Sequence, residues 1–182
     1  MQVITGKYRA RKLVSVKGDT TRPTLARVKE SVFNLIQFYV ADSIVLDLFA
    51  GSGAFGVECI SRGASKVYFV DREKEAINAI KINTKNMTED FEIINKNYED
   101  ALVDMKNKNL KFDLVYLDPP YKSDYATKSL ELLDKLCLLN NNATIVVEHE
   151  FQNDLQNVSD CYIIEKSKKY GIAFVDILKY KG

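Results

Sequence analysis

From residue 44 onward the chain alternates short β-rich apolar runs with helical stretches, and that rhythm leaves few folds open. The runs fall at residues 44–49, 66–70, 91–95, 112–117 and 143–148, and helical spacing fills 54–62, 74–87, 99–106 and 124–138. Strands joined through helices run parallel, and such a sheet is buried by helices on both faces. The tail breaks the alternation. Residues 161–169 and 172–180, parted by Tyr170-Gly171, pattern as an antiparallel hairpin at one edge. The expected fold is α/β: a doubly wound, mostly parallel Rossmann-like sheet with a C-terminal antiparallel hairpin.

The leading segment is different. Residues 1–5 alternate weakly, and Gly6-Lys7-Tyr8-Arg9 reads as a turn into Leu13-Val14-Ser15-Val16, a small N-terminal hairpin. A breaker cluster covers residues 18–23, after which Thr24 is placed to N-cap a helix reaching Tyr39. Its buried stripe is expected to hold Leu25, Val28, Val32, Leu35, Ile36 and Tyr39. No linker demands a second domain. Residues 1–182 are read as one domain, with 1–42 the hairpin and helix and 43–182 the core.

Charge divides along the same line. Residues 1–42 carry eight Lys/Arg against three acids, a net +5, whereas the remainder is net −4 within an overall +1. A basic leading segment on a mildly acidic body suits a polyanionic partner, although a solvated Lys-rich face has the same composition. No run approaches a membrane span and the N-terminus lacks the apolar core of a signal peptide, so a cytoplasmic, monomeric protein without membrane association is expected. Cys59, Cys137 and Cys161 are scattered without CxxC spacing and read as buried small hydrophobes. With His149 the sole histidine, no metal site or Ser-His-Asp triad is expected.

The first core strand ends in Asp47-Leu48-Phe49-Ala50-Gly51-Ser52-Gly53-Ala54-Phe55-Gly56. Gly51, Gly53 and Gly56 satisfy G-x-G-x-x-G, and Asp71 follows twenty residues after Gly51, placed for a ribose hydroxyl. By pattern alone a nicotinamide dinucleotide and S-adenosylmethionine fit equally. Charge separates them. A pyrophosphate at a helix N-terminus is poorly matched to Asp47 with no Lys or Arg interleaved, whereas a ligand bearing an ammonium and a sulfonium is attracted. Ala50 belongs to the same cofactor loop. At the end of the third strand, Asn97-Tyr98 offers an amide and a backbone N–H to an adenine edge; a plain turn before the next helix is the alternative.

At the end of the fourth strand stands Asp118-Pro119-Pro120-Tyr121. The prolines fix their own φ and leave backbone that accepts hydrogen bonds without donating them. A carboxylate, a proline carbonyl and an aromatic face at a strand mouth are what a planar exocyclic amine needs to be held, stacked and methylated. Asp118, Pro119, Pro120 and Tyr121 are therefore the predicted catalytic group.

With these motifs in place, the chain resembles the RsmD-like family of bacterial methyltransferases nearly end to end. The likeness is carried by Ile4-Thr5-Gly6-Lys7-Tyr8-Arg9 with Leu13, by Thr21-Arg22-Pro23-Thr24 followed by Arg27-Val28-Lys29-Glu30-Ser31-Val32-Phe33-Asn34, and by the closing Tyr170-Gly171 hairpin. The less specific loop from Asp47 to Gly53 also fits. The resemblance implies a Rossmann-like S-adenosylmethionine-dependent fold that methylates guanine N2 in 16S ribosomal RNA. It implies cofactor contacts at Asp47, Ala50, Gly51, Gly53, Asp71, Asn97 and Tyr98, with Thr24 near the methionine end. It implies phosphate contacts from Lys7, Arg9, Arg11 and Arg22, on RNA within a small-subunit particle or assembly intermediate. Asn97 stands where many members carry an acid.

Three other readings stay open on the residues. The same tetrad serves adenine N6 and other exocyclic amines in DNA or RNA, the glycine loop serves NAD-dependent oxidoreductases, and the fold could persist as an RNA-binding module without catalysis.

Overall fold

The computed structural model describes residues 1–16, 23–120, 124–150, 155 and 158–182, with no account of the side chains of residues 23–27 and 150. One seven-stranded sheet organises them: β1 (Ile44–Asp47), β2 (Lys66–Asp71), β3 (Phe91–Asn95), β4 (Phe112–Leu117), β5 (Leu139–Glu150), β6 (Tyr162–Tyr170) and β7 (Ala173–Tyr180). Their spatial order is β3-β2-β1-β4-β5-β7-β6. The first five are parallel, and β7 pairs antiparallel with both β5 and β6.

Helices α2 (Ala54–Ser61), α3 (Lys74–Asn83), α4 (Tyr98–Asn107) and α5 (Tyr125–Lys135) are the crossovers. Because the chain winds outward one way from β1 through β2 to β3, then back across to β4 and β5, the strand order reverses between β1 and β4. A crevice opens at such a reversal, beyond the carboxyl ends of the strands. Side chains alternate between two apolar layers. Val45, Val67, Phe69 and Leu114 face one, packed with Phe33 and Phe55, while Leu46, Val70, Val115 and Leu117 face the other with Leu102 and Leu130.

Helix α1 (Pro23–Ile36) begins with proline in its first turn, where the missing N–H costs nothing. Thr24 therefore lies inside the helix and does not cap it. Val28, Val32 and Ile36 are buried as the spacing predicts, but Phe33 joins them at 0% exposure while Tyr39 is 40% exposed. The chain tightens into a short 3₁₀ turn at Gln37–Tyr39, which rotates Tyr39 off the apolar stripe.

The N-terminal hairpin pairs Val3 with residues 10 and 11 (Val3 N–H to Arg11 O, 3.0 Å; Ala10 N–H to Val3 O, 2.9 Å) and buries Val3 and Leu13. Of the cysteines only Cys59 is buried; Cys161 is half-buried and Cys137 exposed, the latter in left-handed backbone (φ 53°) just after α5. The C-terminal turn falls at Gly171-Ile172, with Gly171 at φ 64°. Tyr170 beside it hydrogen-bonds Ser31, tying the edge hairpin to α1.

Candidate active site

The crevice is a cavity of about 640 Å³, the size of a nucleoside-bearing ligand site. Its floor is the set of turns that follow β1 to β4 together with Glu148 near the end of β5, and Val28 and Val32 of α1 form a wall. The loop after β1 occupies the middle. Asp71 at the end of β2 and Asn97 and Tyr98 beyond β3 flank it on one side, and Asp118 and Pro119 beyond β4 and Glu148 near the end of β5 flank it on the other. Adjacent strands lie about 4.8 Å apart, so the two flanks are separated by about 10 Å.

The glycines hold the loop for different reasons. Gly51 lines the cavity at φ 52° with open space where a Cβ would point, so backbone alone faces a ligand there. Gly56 faces the sheet instead. A Cβ on it would come within 2.2 Å of the Phe69 ring, so α2 can seat this low on β2 only without one. Gly53 is buried, starts α2 in left-handed backbone at φ 74°, and does not line the cavity. Ala50 lines it and is tied to β2 by its N–H to Val70 O at 2.9 Å.

Asp71 clamps the loop from below. Oδ2 accepts the Gly51 N–H at 2.8 Å and Oδ1 accepts the Glu73 N–H at 2.9 Å. Each oxygen retains a second lone pair for a diol. Asp47 is placed otherwise than its motif suggests. It is 0% exposed behind the loop, where Oδ2 accepts the Gly56 N–H at 3.0 Å and Oδ1 has no partner among the described residues. Burial, reinforced by the charge of Asp71 and eased by the Gly56 N–H, pushes its carboxyl up to about 7. It does not line the cavity; it acts on it through the field.

Beyond β3, Tyr98 packs against Phe49 (centroids 5.4 Å) and Tyr125 (5.3 Å), so three aromatic rings bound that end of the cavity. The Asn97 amide lies 3.4 Å from Glu99 Oε2 and lines the same end. Beyond β4, Pro119 is buried and Pro120 exposed, with Asp118 half-buried between strand and cavity. Beneath them Tyr116 stacks on Phe55 (4.0 Å, 3°), which stacks on Phe33 (4.9 Å, 29°), and the Tyr116 hydroxyl donates to Glu148 Oε1 at 2.6 Å.

These residues suit a cationic nucleoside ligand. The Lys and Arg side chains along the cavity are already engaged: Lys29 with Glu58 (3.0 Å), Arg72 with Glu73 (2.9 Å) and Lys96 with Asp104. Asp71, Asp118 and Glu148 line it, and Asp47 sits beneath with an orphaned oxygen, so a pyrophosphate would meet net negative potential at the loop.

The structure thus brings Ala50, Gly51, Asp71, Asn97, Tyr98, Asp118, Pro119 and Pro120 around one cavity. Tyr121 and Arg22 lie outside the described residues, as does the side chain of Thr24. The remaining basic residues do not reach the cavity. Lys7 pairs with Glu89 at 2.5 Å, and Arg11 reaches the Lys85 carbonyl and lies over the Tyr8 ring. Both stand beside the turn that leads into β3, at the opposite rim of the sheet. Arg9 is exposed. His149 is buried against Asp176 (2.8 Å) in the β5–β7 ladder, away from the cavity.

Sequence reasoning missed Phe49, Tyr116, Tyr125 and Glu148. Glu148 had a signal, an acid at the carboxyl end of a core strand. Tyr125 had none, since it opens a helix whose apolar stripe runs elsewhere. Among the described residues no helix is long and apolar enough to cross a membrane.

A family model described as Conserved hypothetical protein 95 matches residues 1–179. A Bacillus subtilis protein named YlbH is 37% identical over 184 residues, covering 100% of both chains. A Haemophilus influenzae protein named ribosomal RNA small subunit methyltransferase D is 37% identical over 175 residues, covering 94% of this chain and 90% of its own. The solved structure of Escherichia coli yhhF is similar at a TM-score of 0.88 and 25% identity, covering 100% of this chain and 98% of that one.

Proposed function

The chain belongs to the Conserved hypothetical protein 95 family, which includes the ribosomal RNA small subunit methyltransferase D proteins, and from that premise we propose that it methylates the exocyclic N2 amine of a guanine in 16S ribosomal RNA. The donor is S-adenosylmethionine, which when bound supplies a methyl group on a cationic sulfur. The observation that carries the reading is the division of one cavity about the glycine loop. Aromatic rings and a diol-binding carboxylate lie beyond β2 and β3, and an amine-binding carboxylate and proline carbonyl lie beyond β4.

An exocyclic amine is a weak nucleophile because its lone pair is delocalised into the ring. Asp118 and the Pro119 carbonyl each accept one of its N–H groups, which favours the shift from planar towards tetrahedral nitrogen and stabilises the developing positive charge. The extra proton leaves readily once nitrogen carries four substituents, so no strongly perturbed base is needed. Tyr121 gives the flipped base a stacking face worth about 1–3 kcal/mol. Most of the acceleration is positional.

The chain works as one cytoplasmic, monomeric catalytic unit. Arg9 and Arg22 meet RNA phosphates, and Lys7 and Arg11 divide their charge between the protein and phosphates remote from the target base. The substrate is a small-subunit particle or assembly intermediate.

The test is to incubate the purified protein with labelled S-adenosylmethionine and small subunits from cells lacking it, then identify the product nucleoside by mass spectrometry. N2-methylguanosine in 16S RNA is expected. N6-methyladenosine, or label confined to DNA, would replace this reading.

A further inference from the structure

Glu148 has no part in the chemistry described above, yet it lines the cavity with Asp118. The β4–β5 ladder ends on the pair Leu117 and Val147, so Asp118, just past β4, and Glu148, the next residue of β5, follow directly from neighbouring positions, and both line the cavity. Parallel neighbours stand about 4.8 Å apart, the scale of a purine edge.

The carboxylate is held rigidly. The residue is only 6% exposed, and Oε1 takes the Tyr116 hydroxyl at 2.6 Å. Tyr116 is fixed in turn by its parallel stack on Phe55. Oε2 accepts nothing from any described residue. A buried carboxylate with one oxygen anchored and the other uncommitted, next to the group that grips an amine, is an acceptor aimed at the neighbouring atom of the same base.

Among the nucleobases that carry an exocyclic amine, that neighbouring atom separates guanine from the rest. Guanine places a ring N1–H beside its N2 amine. Adenine places the N1 lone pair beside N6, and cytosine places the N3 lone pair beside N4. A carboxylate attracts the first and repels the other two.

We propose that Glu148 selects guanine, accepting the N1–H of the flipped base through Oε2 while Asp118 and the Pro119 carbonyl hold its N2 amine. Tyr116 is the positioning residue for that carboxylate. The proposal rests on the guanine-N2 reading above and adds the residue that enforces it. Burial raises the Glu148 carboxyl above the ordinary range, and the hydrogen bond from the Tyr116 hydroxyl opposes that shift.

The test uses an RNA substrate with either guanine or 2-aminopurine at the methylated position. The analogue keeps the amine, exchanges N1–H for an acceptor and lacks O6, so the N1 contact is read from the change in discrimination between wild type and Glu148→Gln. Wild-type kcat/KM is expected to fall at least about tenfold on the analogue, the loss of a hydrogen bond to a charged group. Glu148→Gln is expected to lose about 10- to 100-fold on guanine, to discriminate between the two substrates less than about threefold, and to bind S-adenosylmethionine as wild type does. Tyr116→Phe should give a smaller loss on guanine that shrinks on the analogue. Equal wild-type rates on guanine and 2-aminopurine would overturn the proposal without recourse to any variant. So would a Gln variant as active on guanine as wild type. A wild-type product other than N2-methylguanosine would overturn the underlying reading instead, and is read from the first reaction alone.

Discussion

Lys29 Nζ lies 3.0 Å from Glu58 Oε2, an ion pair in which the lysine side chain is 10% exposed and the glutamate 0%. The same carboxylate accepts the Ile4 and Thr5 N–H groups at 2.8 and 3.0 Å and Arg62 Nε at 2.9 Å. One buried acid on α2 therefore ties down both the N-terminal hairpin and α1, whose Val28 and Val32 wall the cavity.

Removing that acid should be costly. Glu58→Ala strands two backbone donors and the Lys29 ammonium, and stability should drop by about 3–5 kcal/mol in urea denaturation. Lys29→Met should cost less, because Arg62 remains on the carboxylate. A Glu58→Ala protein within 1 kcal/mol of wild type would show that the hairpin holds by its apolar contacts alone (about 1 kcal/mol being the spread of ordinary substitutions).

Asp118→Ala should leave cofactor affinity within a few-fold of wild type and abolish nearly all turnover, since the carboxylate lies beyond β4, across the glycine loop from Asp71. Calorimetry and a methyl-transfer assay on the same preparation separate the two effects. Loss of cofactor binding would move Asp118 to the other half of the site.

Asp71→Ala should do the reverse. It frees the Gly51 and Glu73 N–H groups and removes the diol acceptor, so the dissociation constant for S-adenosylmethionine should rise about 10- to 100-fold, in line with hydrogen bonds to a charged group. Isothermal titration checks it, and unchanged affinity would leave Asp71 with the loop alone.

Asp47 makes stability depend on pH. Its native carboxyl, at about 7, lies above its ordinary 3.8, so the unfolded chain releases that proton first. This group's contribution to stability therefore falls as pH climbs from about 4 to about 7 and is flat above. Asp47→Asn should stabilise the free protein by about 1–3 kcal/mol at pH 8 and change little at pH 4, measured by urea midpoints. S-adenosylmethionine should gain affinity over the same window, and S-adenosylhomocysteine, without the sulfonium, should gain less. An Asn variant equally destabilised at both pH values would remove the charge from this account.

Phosphate contact should appear as salt dependence. Arg9→Ala should weaken RNA binding and lower the log–log salt slope by about 1. Lys7→Ala, which breaks the Glu89 pair, should alter the slope less. Equal slopes for both variants would place the RNA across the whole hairpin.

Alternation of periods was enough to read the parallel core, because strand and helix spacings are local and each run is long enough to show its own. That the glycine loop, Asp71 and Asp118-Pro119-Pro120 border one cavity was legible for a related reason: they sit at strand ends, where the residue types a turn tolerates and those a ligand needs coincide. The position of Asp47 relative to the cavity was not legible. One step of alternation along β1 puts a side chain behind the loop instead of above it, and only the tertiary packing of α2 on β2 decides which. Phe49, Tyr98 and Tyr125 converge from three elements, and Tyr116 and Glu148 from two strands that need the β4–β5 register to meet. Such pairings depend on strand order and register, which no short window of sequence carries. The chain alone determined which chemistry is available at each strand end; the assembled sheet decided which of those ends share a cavity and which charged groups it leaves to face a ligand.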